Sequence, residues 1–181
     1  MEELIKRSKK GDENAFTELI LSIQSDLYNI GKARLNDDND ISDAIQETMI
    51  TAYKHLHKLK DNSKFKSWIF KILINECNKI YKHKSHKNNL LDKIEINYTL
   101  NNLDNLDSSI QNSNSKIDFE ILINNLNYDE KLIATLFYNN RYSCSEIAKI
   151  LNMNVNTVKS KLTRAKEKVK KCYKGGVINE K

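Results

Sequence analysis

The chain has 181 residues, 39% of them hydrophobic, and a net charge of +6 at pH 7, which suits one large or two small compact domains. No apolar run approaches the ~20 residues of a membrane span, and the opening MEELIKRSKKGDENAF lacks the apolar core of a signal peptide; the expectation is a cytoplasmic protein without membrane insertion. Proline is absent and glycine occurs four times, too little punctuation for strands joined by tight turns, so the expected fold class is all-α. The charge is uneven: residues 1–82 hold 14 basic and 13 acidic groups, residues 83–116 hold 4 and 4, and residues 117–181 hold 12 and 7. Nearly all the excess lies in the last third, where a phosphate backbone would favour it.

Amphipathic helices fill residues 1–85. Leu4 and Ile5 start one, and Gly11-Asp12 breaks it and caps the next. Ala15, Phe16, Leu19, Ile20, Ile23 and Leu27 then recur at helical spacing. The polar run 36–40 is a loop ending in a helix N-cap signal. Ile41, Ile45, Met49, Ala52 and Leu56 form the expected buried stripe of the following helix. A second loop, residues 60–64, precedes a helix carrying Trp68, Ile69, Ile72, Leu73 and Ile80, with Trp68 read as a core anchor in preference to a DNA wedge.

Residues 86–115 are rich in Asn and Ser and read as a flexible linker. Residues 116–175 are helical again. Ile117, Ile121, Leu122 and Leu126 share one helix; Leu132, Ile133, Leu136 and Phe137 lie on the next. That helix opens with Asn127 three residues before Glu130, a capping-box start that Ser143 and Glu146 repeat. Residues 176–181 are a tail.

The stretch Tyr142–Lys171 is a helix, a short turn at Asn152-Met153-Asn154, and a second, strongly basic helix. Asn152 replaces the usual glycine of such a turn, because asparagine tolerates the left-handed conformation. With Asn154 as N-cap, Val158, Leu162, Ala165 and Val169 form a face toward Ile147, Ala148 and Leu151. Thr157, Ser160, Lys161 and Arg164 share another face, and Lys159 and Lys168 add charge. A helix-turn-helix inserts such a face into the DNA major groove; a solvated basic helix is the plainer alternative.

Taken together, these motifs resemble the extracytoplasmic-function group of bacterial sigma factors over nearly the whole chain. KKGDENAFTELI resembles the family's opening helix pair, and residues 43–53 (DAIQETMITAY) its polymerase-gripping segment. Residues 65–75 (FKSWIFKILIN) are similar to the segment that opens and reads the −10 element, and residues 146–148 with 158–165 to the −35 reader.

The resemblance implies two small helical domains joined by a flexible linker. It assigns core RNA polymerase to Asp43, Gln46, Glu47 and Ile50, which lie off the predicted stripe and make a mixed patch suited to a protein interface. Lys71, Asn75, Asn78 and Lys82 recur at helical spacing and would face −10 DNA. The 61–64 loop would receive a displaced base, with Asn62, Ser63 and Phe65 as partners and wall. The family often carries arginine where this chain has Asn78, Lys79 and Lys82, and lysine reads bases less sharply. Thr157, Lys159, Ser160, Lys161, Arg164 and Lys168 would meet the −35 element.

Element centres about 25 base pairs apart lie roughly 85 Å apart at ~3.4 Å per base pair; about 30 linker residues reach roughly 100 Å. Promoter DNA and an anti-sigma factor are the further expected partners.

His55 with His57, and His83 with His86, lack the remaining ligands of a metal site. Cys77, Cys144 and Cys172 match neither a disulfide framework nor a metal spacing. No phosphate loop or nucleophile elbow appears; neither a cofactor, a small-molecule substrate nor an enzymatic activity is expected. Two rivals stay open on the residues: a conventional helix-turn-helix regulator with a sensing N-terminal half, and a decoy that occupies an anti-sigma factor.

Overall fold

The computed structural model describes the backbone of residues 1–95 and 126–176. The expected helix through Ile117, Ile121 and Leu122, most of the linker and the end of the tail lie outside the described residues, as does the side chain of Cys172. Among the described residues there are eight α-helices and no strand. Five form an N-terminal lobe: α1 (Glu2–Lys9), α2 (Glu13–Leu21), α3 (Gln24–Lys32), α4 (Asp38–His55) and α5 (Phe65–Glu95). Three form a C-terminal lobe: α6 (Tyr128–Tyr138), α7 (Cys144–Leu151) and α8 (Val155–Gly176).

The punctuation works as local chemistry requires. Gly11 sits at φ +91°, where a side chain would be strained, and Asp12 caps α2 by accepting from Ala15 N–H at 2.9 Å. That bond and the Arg7 guanidinium hold the Asp12 carboxyl below its ordinary range. The rhythm from Ala15 to Leu27 reads as continuous in sequence, but it spans two helices. Ser22 hydrogen-bonds Leu19 O through its hydroxyl at 2.6 Å at the end of α2, an alternative to regular backbone pairing. Ile23 and Leu27 stay fully buried across the break.

Helix α4 starts at Asp38, inside the stretch expected as loop, because Asp37 already caps it through Asn39 and Asp40 N–H. Its buried stripe is Ile41, Ala44, Thr48 and Ala52, with Ile45 and Met49 only half-buried. The arc is displaced because α4 packs against both α3 and α5, and small residues let the helices approach. Thr48 is buried without penalty because its hydroxyl donates to Ala44 O at 2.6 Å.

Helix α5 runs to Glu95, ten residues past the expected domain end at 85. Its Phe65, Ile69, Phe70, Leu73 and Cys77 are fully buried, each large apolar side chain stabilising the fold by about 1.5–3 kcal/mol. Burial pushes the Cys77 thiol up to about 12, so it stays protonated and inert.

The two lobes are not separate. α3 touches α6, and α5 touches α7. Their buried side chains form one continuous cluster running from Ile5 through Leu73 to Ile147 and Leu162. Phe70 meets Tyr142 edge-on at 6.1 Å. Tyr128 lies between Tyr81, at 4.7 Å ring to ring, and the Arg34 guanidinium, 4.0 Å from its ring centroid. Arg34 also donates to Tyr128 O at 3.3 Å and Asp129 Oδ1 at 3.4 Å.

Candidate nucleic-acid and polymerase interfaces

Helix α4 meets α5 along a groove of about 300 Å³. Asp43, Gln46 and Glu47 line its α4 side, and Glu76, Lys79 and Ile80 its α5 side. Lys79 is held by Glu76 at 2.9 Å, so the wall facing Asp43 and Glu47 is not a bare cation. Ile50 lies one turn further along α4 and is 45% exposed. All four predicted core-binding residues are therefore on the surface of one helix, and three share one groove. An exposed aliphatic side chain beside carboxylates is an arrangement that suits a protein partner.

The loop between α4 and α5 borders a larger cleft, about 710 Å³, lined by Asn62, Ser63 and Phe65 together with Ile5 of α1 and Tyr142 of the C-terminal lobe. Asp61 organises the loop: its Oδ1 accepts from the Ser63 N–H at 2.9 Å and the Ser63 hydroxyl at 2.6 Å. Those two bonds lower its carboxyl below the ordinary range. Phe65 is only 1% exposed; it floors the cleft and presents no open face for stacking.

On α5, Lys71, Asn75 and Lys82 are exposed along one side. Asn78 departs from that set. It is half-buried, and its Oδ1 accepts from the Tyr128 hydroxyl at 3.0 Å. Tyr128 thus covers one position of the predicted −10 face.

The helix-turn-helix has the geometry its sequence predicts. Ser143 and Glu146 form a complete capping box on α7. Asn152 ends α7 at φ 53° and ψ 46°, in the left-handed region, and Asn154 accepts from Asn156 N–H at 2.8 Å at the start of α8. Val158, Leu162 and Ala165 are buried, as are Ile147 and Ala148 opposite. Thr157, Lys159, Ser160 and Arg164 are exposed.

Lys161 and Lys168 differ from the other four. The Lys161 ammonium binds Asp129 Oδ2 at 2.8 Å, and that of Lys168 binds Glu130 Oε2 at 2.7 Å. They pin α8 to the start of α6. Burial works to raise the Asp129 and Glu130 pKa values, but Lys161 with Arg34, and Lys168 with the Asn127 N–H, together outweigh it and both end below the ordinary range. The remaining exposed groups still leave α8 basic, with Lys159, Arg164, Lys166, Lys170 and Lys171 on its surface.

Residues 19–86 match the model for Sigma-70 region 2, and residues 119–169 match that for Sigma-70 region 4. The two matches fall in order on the two lobes. The chain belongs to the extracytoplasmic-function group of the sigma-70 family. Within that group, it is 28% identical over 174 residues to the ECF RNA polymerase sigma-E factor of Haemophilus influenzae, covering 92% of this chain and 91% of the relative. It is 27% identical over 173 residues to the sigma-E factor of Escherichia coli K12, covering 92% and 90%.

Among solved structures, CnrH in complex with the cytosolic domain of CnrY has the same fold, with TM-score 0.67, 17% identity and coverage of 96% and 97%. So does RpoE in complex with the anti-sigma factor NepR from Bartonella quintana, with TM-score 0.65, 19% identity and coverage of 88% and 96%. For this sigma factor, the α4–α5 groove and the 61–64 loop fall within region 2, and α6 to α8 within region 4.

Three residues with structural leverage on these surfaces escape sequence reading. Arg34 and Tyr128 meet across the lobes at a separation of 94 positions, and Lys9 reaches Asn62 across 53. Helical periodicity reports one helix face at a time and carries no signal for such pairs.

Proposed function

We propose that this chain is an alternative sigma factor that binds core RNA polymerase and directs it to promoters. In this reading, the α4 surface of Asp43, Gln46, Glu47 and Ile50 docks on polymerase. Lys71, Asn75 and Lys82, with the Asn62–Ser63 loop, meet the −10 element. Thr157, Lys159, Ser160 and Arg164 meet the −35 element, and Lys161 and Lys168 reach DNA only by leaving their carboxylates. Polymerase performs the chemistry in the cytoplasm, and the chain itself needs no cofactor. An anti-sigma factor controls it, by analogy with the complex of RpoE and the anti-sigma factor NepR.

The single observation that carries this reading is the coincidence of two ordered region matches with two different surfaces: a mixed polar and apolar groove in region 2, and a complete, basic helix-turn-helix in region 4. A conventional regulator accounts for the second surface only.

The test separates the roles. Lys161→Ala with Arg164→Ala should abolish promoter-specific transcription while the variant still binds core polymerase. Glu47→Lys with Ile50→Ala should instead lose core polymerase in a pull-down, with the fold kept as judged by an unchanged melting temperature. Loss of core binding in the Lys161/Arg164 variant would contradict the division.

A further inference from the structure

Lys9, the last residue of α1, stands outside every surface assigned so far. Its half-buried ammonium donates to Leu59 O at 2.5 Å and to Asn62 Oδ1 at 2.6 Å. It therefore grips the loop that borders the 710 Å³ cleft at Asn62 and just ahead of it, at Leu59. Two further contacts fix the neighbouring groups: Asp61 caps the turn, and the Ser63 hydroxyl donates its single proton to Asp61.

We infer that Lys9 is a positioning residue for base discrimination: it orients the Asn62 amide so that the cleft presents N–H donors from Asn62 beside a lone-pair acceptor from Ser63. This rests on the reading of the cleft as the receiver of a displaced −10 base. An ammonium has donors only, so the amide atom facing it must be the oxygen. That assigns the amide orientation on chemical grounds, where geometry alone leaves oxygen and nitrogen interchangeable. With Oδ1 held by a cation, the NH2 end is the part left to address a base. Ser63, its proton committed, can only accept.

Without Lys9 the amide rotates, and offers acceptor and donor to the cleft in turn. A site that presents both reads base edges poorly, because discrimination depends on leaving the wrong base with mismatched hydrogen-bond groups. Lys9 touches neither the α4 groove nor α8, so its loss blurs one promoter position and no other.

The experiment uses the full chain assembled with core polymerase. Open-complex formation is measured on a set of promoter duplexes carrying each of the four bases at every −10 position. Lys9→Met keeps the aliphatic stem and removes the donors. It should flatten the preference at a single position by about tenfold, the size of one lost hydrogen-bond discrimination, and leave the other positions and the −35 dependence as in the wild type. Lys9→Arg, which keeps donors, should restore most of that preference. Asn62→Ala should flatten the same position, and adding Lys9→Met to it should change nothing further.

A uniform loss across all positions, matched by a lowered melting temperature, would make Lys9 a structural prop and overturn the proposal. If Asn62→Ala flattens a position that Lys9→Met leaves sharp, the Lys9 role fails while the cleft reading stands. If Asn62→Ala leaves every preference intact, the cleft reading itself fails.

Discussion

Glu130 shows how much one side chain can hold together. It is 1% exposed, yet two groups stabilise its charge: the Lys168 ammonium, and the Asn127 backbone N–H within the capping box. Burial pushes its pKa up, and those partners bring it net below the ordinary value. A carboxylate whose folded pKa lies below its unfolded one stabilises fully above the unfolded value, and loses that contribution as pH falls through the folded one. Glu130→Gln keeps a capping acceptor but loses the ion pair. We expect it to be less stable than wild type at neutral pH, with the gap closing as pH drops below about 4.3, as read from urea denaturation across pH. Glu130→Ala should cost roughly 1–3 kcal/mol at neutral pH, because the cap and the pairing go together. A gap that widened in acid would contradict the assignment.

At the scale of elements, α3 and α4 are set by one close approach. A Cβ built on Gly31 would lie 2.8 Å from Ile41 Cγ2, and Ile41 is fully buried, so the packing around it must shift. Gly31→Ala should therefore destabilise by roughly 1–3 kcal/mol through overpacking, despite the better helix propensity of alanine; a thermal melt at or above wild type would contradict this.

The helices, their caps and the helix-turn-helix were legible because they rest on local signals: Asp12, Asn127, Ser143 and Asn152 act within four residues of their own position. The buried arc of α4 was only partly legible. Its facing partners decide which of Ala44, Ile45, Thr48 and Met49 goes inside, and those partners are distant in sequence. The end of α5 was misjudged for a different reason. Asn and Ser density suggested a linker from residue 86, but nothing before Glu95 is a glycine or proline that would stop a helix. Of the site, exposure of the α4 set and of Thr157, Lys159, Ser160 and Arg164 followed from period alone. The engagement of Asn78, Lys161 and Lys168 did not, because each is taken by α6.

For the whole molecule, the two reading surfaces sit on lobes that share a core, whereas the promoter elements they would read lie roughly 85 Å apart. Reading both at once requires the lobes to part. One polar contact across that seam, at Arg34, is weakly made for its degree of burial. Arg34 is 8% exposed, its hydrogen bonds to Tyr128 and Asp129 are 3.3 and 3.4 Å, and its Nε has no partner among the described residues. An unsatisfied buried donor costs about 1–3 kcal/mol, which lowers the barrier to opening. Opening would also free Asn78 from Tyr128 and uncover the Tyr142 side of the cleft. A variant lacking its native cysteines, with Asn78→Cys and Tyr128→Cys joined by a cleavable bis-maleimide linker, should fail to support initiation and regain it on cleavage. Full activity while cross-linked would show that the lobes need not separate.

The central claim is that this chain confers promoter recognition on polymerase, and run-off transcription on fragmented genomic DNA tests it most directly. Core polymerase and this protein together should produce discrete transcripts that neither produces alone. No new transcripts, accompanied by tight binding of the free protein to specific duplex sites, would contradict the account and make the chain a conventional DNA-binding regulator.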